Sequence, residues 1–366
     1  MKIFSVPADF SEKTINAYNE LNQKYNNTYV GETYGQVTKD YMHMSGRATR
    51  TLPQVGIREL EKYVNYSLRK GIKFNYTLNA ACLGNYEFTN EGIFEIRTLL
   101  KDLNNIGVNN ITLATPSIIE LVKYFAPTMN IKVSAICQID SIMKMNHYLN
   151  LGVERFVVEP SVTKEFNVLK NMVQNCDGKM EIIINDKCMK NCPYKTFHYN
   201  QTAHDNNERA ESYYFMNCGI RKSRNLQWYL NLNWIRPEDL HLYENMGIKY
   251  FKVEGREFIL KGEIIRFLIA YIEECFDGNL IELLHIFAPY DKKHQPYIDN
   301  KALDGYVDAF YYNKIKCDQL CEHCGYCKSF MQKSYIMKDS LGKEASDFYF
   351  GKNKFMQKLE IEKQQA

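Results

Sequence analysis

Apolar residues recur along this chain with two different periods. Short β-branched or aromatic runs alternate with longer stretches whose apolar residues fall three and four positions apart, the patterns of strands and amphipathic helices respectively. Eight runs read as strands: 3–6, 29–32, 74–78, 111–114, 131–135, 155–159, 181–185 and 250–254. Helical spacing fills 56–69, 91–103, 118–125 and 142–150. Three times a helix-like segment ends in a glycine just before a strand, at Gly107, Gly152 and Gly247, where a left-handed residue would close the helix. Repeated junctions of this kind favour parallel βα units. Eight units over roughly 250 residues fit an α/β fold of the (β/α)8 TIM-like barrel type, with a doubly wound open sheet as the alternative.

The regularity breaks twice. Residues 187–234 form a long insertion between strands seven and eight, and a C-terminal extension over 276–366 follows a barrel spanning 1–275. Loops after barrel strands open at the catalytic mouth, so the insertion is expected to cover or build an active site. The tail beyond Lys328 is mixed in charge and reads as a solvated helical end.

Composition narrows the class. With 45% hydrophobic and 24% charged residues the chain can bury a core and is not disordered. A net charge of +3 gives no global reason to bind nucleic acid. No export signal opens the chain and no apolar run approaches the roughly 18 residues of a membrane span, so a soluble cytoplasmic protein with reduced thiols is expected. Eleven cysteines in that setting point to metal ligation rather than disulfides.

The cysteines cluster. Cys317, Cys321, Cys324 and Cys327 lie within eleven positions, a spacing that suits a tetrahedral Zn2+ or an iron-sulfur cluster. The first three also match the spacing of radical S-adenosylmethionine enzymes, but there the motif follows the first barrel strand and here it follows the last. Cys188 and Cys192 come directly after strand seven and Cys218 later in the insertion. Together they could reach one metal, with Cys82, a tail cysteine or a non-cysteine group as fourth ligand; the alternative is that they are buried thiols. Cys137, Cys176 and Cys275 read as small hydrophobes.

Lys252, Glu254 and Arg256 alternate at the end of strand eight and are the catalytic candidates. They are expected to share one face toward the mouth, with a lysine and an arginine around one carboxylate holding an anionic ligand, or else forming an internal ion pair. Glu32, Tyr34, Arg47, Asn79 and Glu159 fall at or past predicted strand ends, and with His198 of the insertion they are candidate substrate-binding residues. No P-loop, dinucleotide fingerprint or HExxH pair is present.

Two segments, IIINDKCMKNCPYKTFHYN and WIRPEDLHLYENMGIKYFKVEGRE, resemble the collagenase-like peptidase family, a group of peptidases of unknown catalytic type, over about residues 1–275. The resemblance implies a barrel. It also implies a 4Fe-4S cluster on four cysteines and, as in several relatives, oxygen-independent hydroxylation of RNA bases or a quinone precursor; other relatives keep the name of protease. The residues at the mouth suggest an anionic or carboxylate-bearing substrate, a small metabolite, an RNA base or a peptide; a ferredoxin or flavodoxin is expected as electron donor, and no membrane partner is expected. One cluster is expected at the insertion, and a second cluster or Zn2+ at the tail. Here Asp186 and Lys187 precede the first cysteine of the insertion and three residues separate it from the second, where the family has a glycine with a small residue and a six-residue gap. Two alternatives remain beside the redox enzyme: a peptidase, for instance with Cys188 and His198, and a non-enzymatic zinc-ribbon protein that binds RNA or acts as a scaffold.

Overall fold

A computed structural model describes residues 1–204, 213–336 and 340–365, without the side chains of 322, 364 and 365. Eight parallel strands close into a barrel: β1 (Lys2–Pro7), β2 (Thr28–Gly35), β3 (Lys73–Leu78), β4 (Asn110–Leu113), β5 (Asn130–Val133), β6 (Arg155–Val157), β7 (Met180–Ile183) and β8 (Tyr250–Lys252). Neighbours pair in chain order, and β8 closes against β1 through Ile3–Tyr250 and Ser5–Lys252. The fold is therefore a (β/α)8 barrel and not an open sheet. Gly107, Gly152 and Gly247 take φ of +86°, +76° and +102°, the left-handed closures that the three repeated junctions require.

Strand alternation sorts the side chains. Phe4, Ile131, Phe156, Ile182 and Phe251 face outward and join the main apolar core beneath the helices. Among the helices that cover them are Ile57–Arg69, Asn90–Asn105 and Phe166–Asn175, each with an apolar stripe packed on the barrel. The inward positions differ in kind. Ser5, Glu32, Lys132 and Glu181 are buried and polar, and only Ala135, Val157 and Ile183 form a small separate apolar cluster. A barrel bore is usually packed with branched aliphatics; here much of it is charged.

The insertion is more ordered than a loop. Past β7 the chain enters an antiparallel ribbon, Asn185–Met189 against Leu232–Trp234, and helices Lys195–Ala203 and Tyr213–Arg224 lie between its limbs. Trp234 is fully buried, its indole N–H donating to the Tyr229 carbonyl at 2.8 Å. The tail meets the expectation of a solvated helical end in part: Lys343, Glu344, Lys352, Lys358 and Glu362 are exposed, but one face of the helix before the last is covered. Helix Leu341–Lys352 packs along Tyr213–Arg224 through Met216, Ile220, Ala345 and Tyr349, and Gly219 admits the Tyr349 ring where a Cβ would stand 2.5 Å from it. Among the described residues no helix is long and apolar enough to cross a membrane.

Candidate functional site

The lower bore holds a closed charge network. Glu32 accepts from the Ser5 hydroxyl at 2.7 Å and pairs with Lys132, which also pairs with Glu181 at 2.6 Å. Arg155 stands 3.7 and 3.6 Å from the same two carboxylates, stacked on Tyr250. Burial opposes ionisation of Glu32, but Lys132 and Arg155 outweigh it and hold the group down at about 2. The sequence places Glu32 at a strand end. In the fold β2 runs three residues further, to Gly35, and Glu32 sits opposite Lys73, the first residue of β3. It belongs to the floor rather than the mouth. Lys132, which organises this network, escaped the sequence reading, although a lysine inside an apolar strand was its signal.

Above the floor the cations lose their partners. Lys252 is buried, its ammonium 3.7 Å from the centre of the Tyr34 ring, and has no hydrogen-bond partner among the described residues. Burial, with Lys132 adding repulsion, brings it down to about 7. Tyr34 is itself fixed, donating to the Val253 carbonyl at 2.6 Å. Gly255 then turns the chain at φ +125°, and Arg256 folds back into the bore. One of its terminal nitrogens donates to Gln36, to Ser45 at 2.8 Å and to Thr77 at 2.7 Å. All three are neutral. Burial and the neighbouring Arg47 push its guanidinium down to about 10.

Glu254 does not stand between these cations, contrary to the expectation of a lysine and an arginine around one carboxylate. It pairs with Lys187 at 2.6 Å and with Arg47 at 3.7 Å, and the two cations keep it below the usual carboxylate range although burial pulls the other way. Arg47 also reaches Glu257 at 3.5 Å. Backbone geometry explains the difference: β8 ends at Lys252, so the strict alternation stops before Glu254. Glu159 is likewise engaged, by Lys195 and by the Ser161 hydroxyl at 2.8 Å. Asn79 latches the mouth, accepting from Gly46 N–H at 3.1 Å and donating to Ser134 at 3.2 Å. His198 is half-buried on the lid; burial, with Arg47 and Lys222 adding repulsion, pushes its imidazole down to about 4.

The lid brings its thiols into one electrostatic field. Cys188 and Cys192 both feel Cys218, and Lys195 acts on both. The Lys222 ammonium donates to the Cys218 sulfur and to the Lys187 carbonyl at 2.9 Å. Burial and Asp186 push the Cys188 thiol up. Cys82 stands apart: its sulfur accepts from Gly84 N–H at 3.4 Å, and among the described residues no hydrogen bond or ion pair ties it to the lid. The four tail cysteines line a single cleft with Gln227, Asn231 and Tyr326. Among the described residues no three His, Cys, Asp or Glu side chains are placed to hold a single metal ion. Soft thiolates beside lysines nevertheless suit a negatively charged metal-sulfur group in kind.

A closed parallel barrel with a charged bore, buried cations at its mouth and a cysteine-bearing insertion defines the class. The chain belongs to peptidase family U32, the collagenase-like peptidases, whose model matches residues 17–263. It is 30% identical over 343 residues to an uncharacterized protease of Methanocaldococcus jannaschii, covering 92% of this chain and all of the relative. A solved U32 peptidase structure superposes with a TM-score of 0.48 at 16% identity, covering 70% of this chain and 94% of that one.

Proposed function

We propose that this chain is an iron-sulfur enzyme that modifies an anionic substrate by redox chemistry. One observation carries the reading: Lys252 and Arg256 are both buried at the barrel mouth and, among the described residues, neither forms an ion pair with a carboxylate. A buried cation without a counter-ion is costly, and a bound carboxylate or phosphate would remove that cost. Arg256 presents unused N–H groups in a planar fork. Lys252 adds an amine that changes protonation near neutral pH and can hold or move a proton at the substrate. Tyr34 fixes the amine over its ring, and Asn79 keeps the loop carrying Arg47 in place. A cluster held by the lid thiols would supply electron transfer without O2, and Lys195 and Lys222 would offset its charge.

The test is metal analysis of the full chain purified without oxygen. Iron and sulfide in about equal amounts, with a brown chromophore, are expected; colourless protein carrying only zinc would overturn the reading. A peptidase is the second reading, favoured by the names of the family and of the Methanocaldococcus relative. It needs a nucleophile joined to a base, and among the described residues no hydrogen bond joins Cys188 to His198. Hydrolysis of gelatin by iron-free protein, abolished by Cys188→Ser, would establish it.

A further inference from the structure

We propose that Cys317, Cys321, Cys324 and Cys327 hold an iron-sulfur cluster of their own, seated on the return limb of the lid ribbon. The site concerns different cysteines from those of the proposed function and is tested separately; only its role as a relay rests on that reading.

Two observations carry it. First, the four thiols do more than share a sequence motif: all of them line one open cleft. Second, the cleft offers donors to the sulfurs from outside the motif. The Asn231 side-chain amide approaches the Cys321 sulfur at 3.8 Å, and the Tyr306 hydroxyl meets the Cys327 sulfur at 3.3 Å. Lys164 is half-buried on the same wall, its ammonium donating to the carbonyls of Leu230 and Leu232 at 3.0 and 2.7 Å and lying 4.1 Å over Trp234; its field reaches Cys317 and Cys327. Hydrogen bonds and a cation around the sulfurs are what tune and stabilise an anionic metal-thiolate group.

The seat also gives the site a role. The Asn231 carbonyl accepts from Lys190 N–H at 3.1 Å, so one residue touches both Cys321 and the limb of the ribbon that continues from Cys188. A tail cluster there lies along the covalent and hydrogen-bonded route into the lid, the position of an electron relay.

The full chain, purified without oxygen, tests this. Cys324→Ser with Cys327→Ser should remove about four irons and four sulfides per chain, while Cys188→Ser with Cys192→Ser should leave that share in place. Unchanged iron in the tail variant, or stoichiometric zinc at the tail of the wild-type protein, would overturn the proposal. If the tail pair does not fold, Asn231→Asp serves instead. It should keep the iron and lower the midpoint potential of one cluster in a redox titration followed by electron paramagnetic resonance. A potential equal to wild type in every signal would contradict the seat.

Discussion

The two halves of the bore contain the same residue types and use them in opposite ways. On the floor, Lys132 and Arg155 share Glu32 and Glu181, so each buried charge has a partner and the network is closed. At the mouth, Lys252 sits over an aromatic ring and Arg256 is held by neutral oxygens, while Glu254 is taken by Lys187 and Arg47, and Glu257 by Arg47. The floor is built for stability of the closed barrel. Its mouth keeps two cations desolvated and available.

Breaking the floor should have the largest effect. Lys132→Ala leaves two buried carboxylates with only a distant arginine, and about 3–5 kcal/mol of stability should be lost in urea unfolding. The corresponding change at the mouth has the opposite sign. Lys252→Met removes a buried amine whose protonated form is disfavoured in the folded state, so at pH 6 it should raise stability by about 2 kcal/mol. Because the folded-state value of about 7 lies below the unfolded one, the wild type gains stability as pH rises from about 7 to about 10. The advantage of Lys252→Met should shrink across that window. An advantage independent of pH would show that Lys252 is solvated or paired.

Arg256→Gln should leave unfolding within about 1 kcal/mol of wild type but weaken turnover of the anionic substrate by roughly 10- to 100-fold, a loss of about 1.4–2.7 kcal/mol in transition-state binding. Asn79→Ala should be the mildest. Loss of two neutral hydrogen bonds that latch the mouth loop should cost about 1 kcal/mol, read as a small fall in thermal midpoint.

Much of the barrel was legible because its signals are local. Strand alternation, helical spacing and the three closing glycines each depend on a few adjacent residues, and all eight strands stand where those patterns put them. The site was legible only in part. Tyr34, Lys252 and Arg256 lie together because strand ends in a barrel converge on one mouth, which the sequence pattern could show. Glu32 was misjudged by a strand end, and Glu254 by an alternation that stops with β8 at Lys252. Lys132, Lys187 and Lys222 were missed for another reason: a lysine's role in a bore depends on which carboxylate or thiol lies across it, and that partner is 49 to 100 positions away for Lys132. The covered face of helix Leu341–Lys352 was missed for the same reason, since its partner helix lies in the insertion.

The division between a paired floor and an open mouth has a functional meaning only if the lid above the mouth carries the redox centre. Cys188→Ser with Cys192→Ser, purified without oxygen beside wild type and checked for an unchanged far-ultraviolet circular dichroism spectrum, measures this most directly. About four irons and four sulfides per chain should be lost, together with turnover, while the fold and the floor's contribution to urea stability persist. Full retention of iron in that variant would contradict the account.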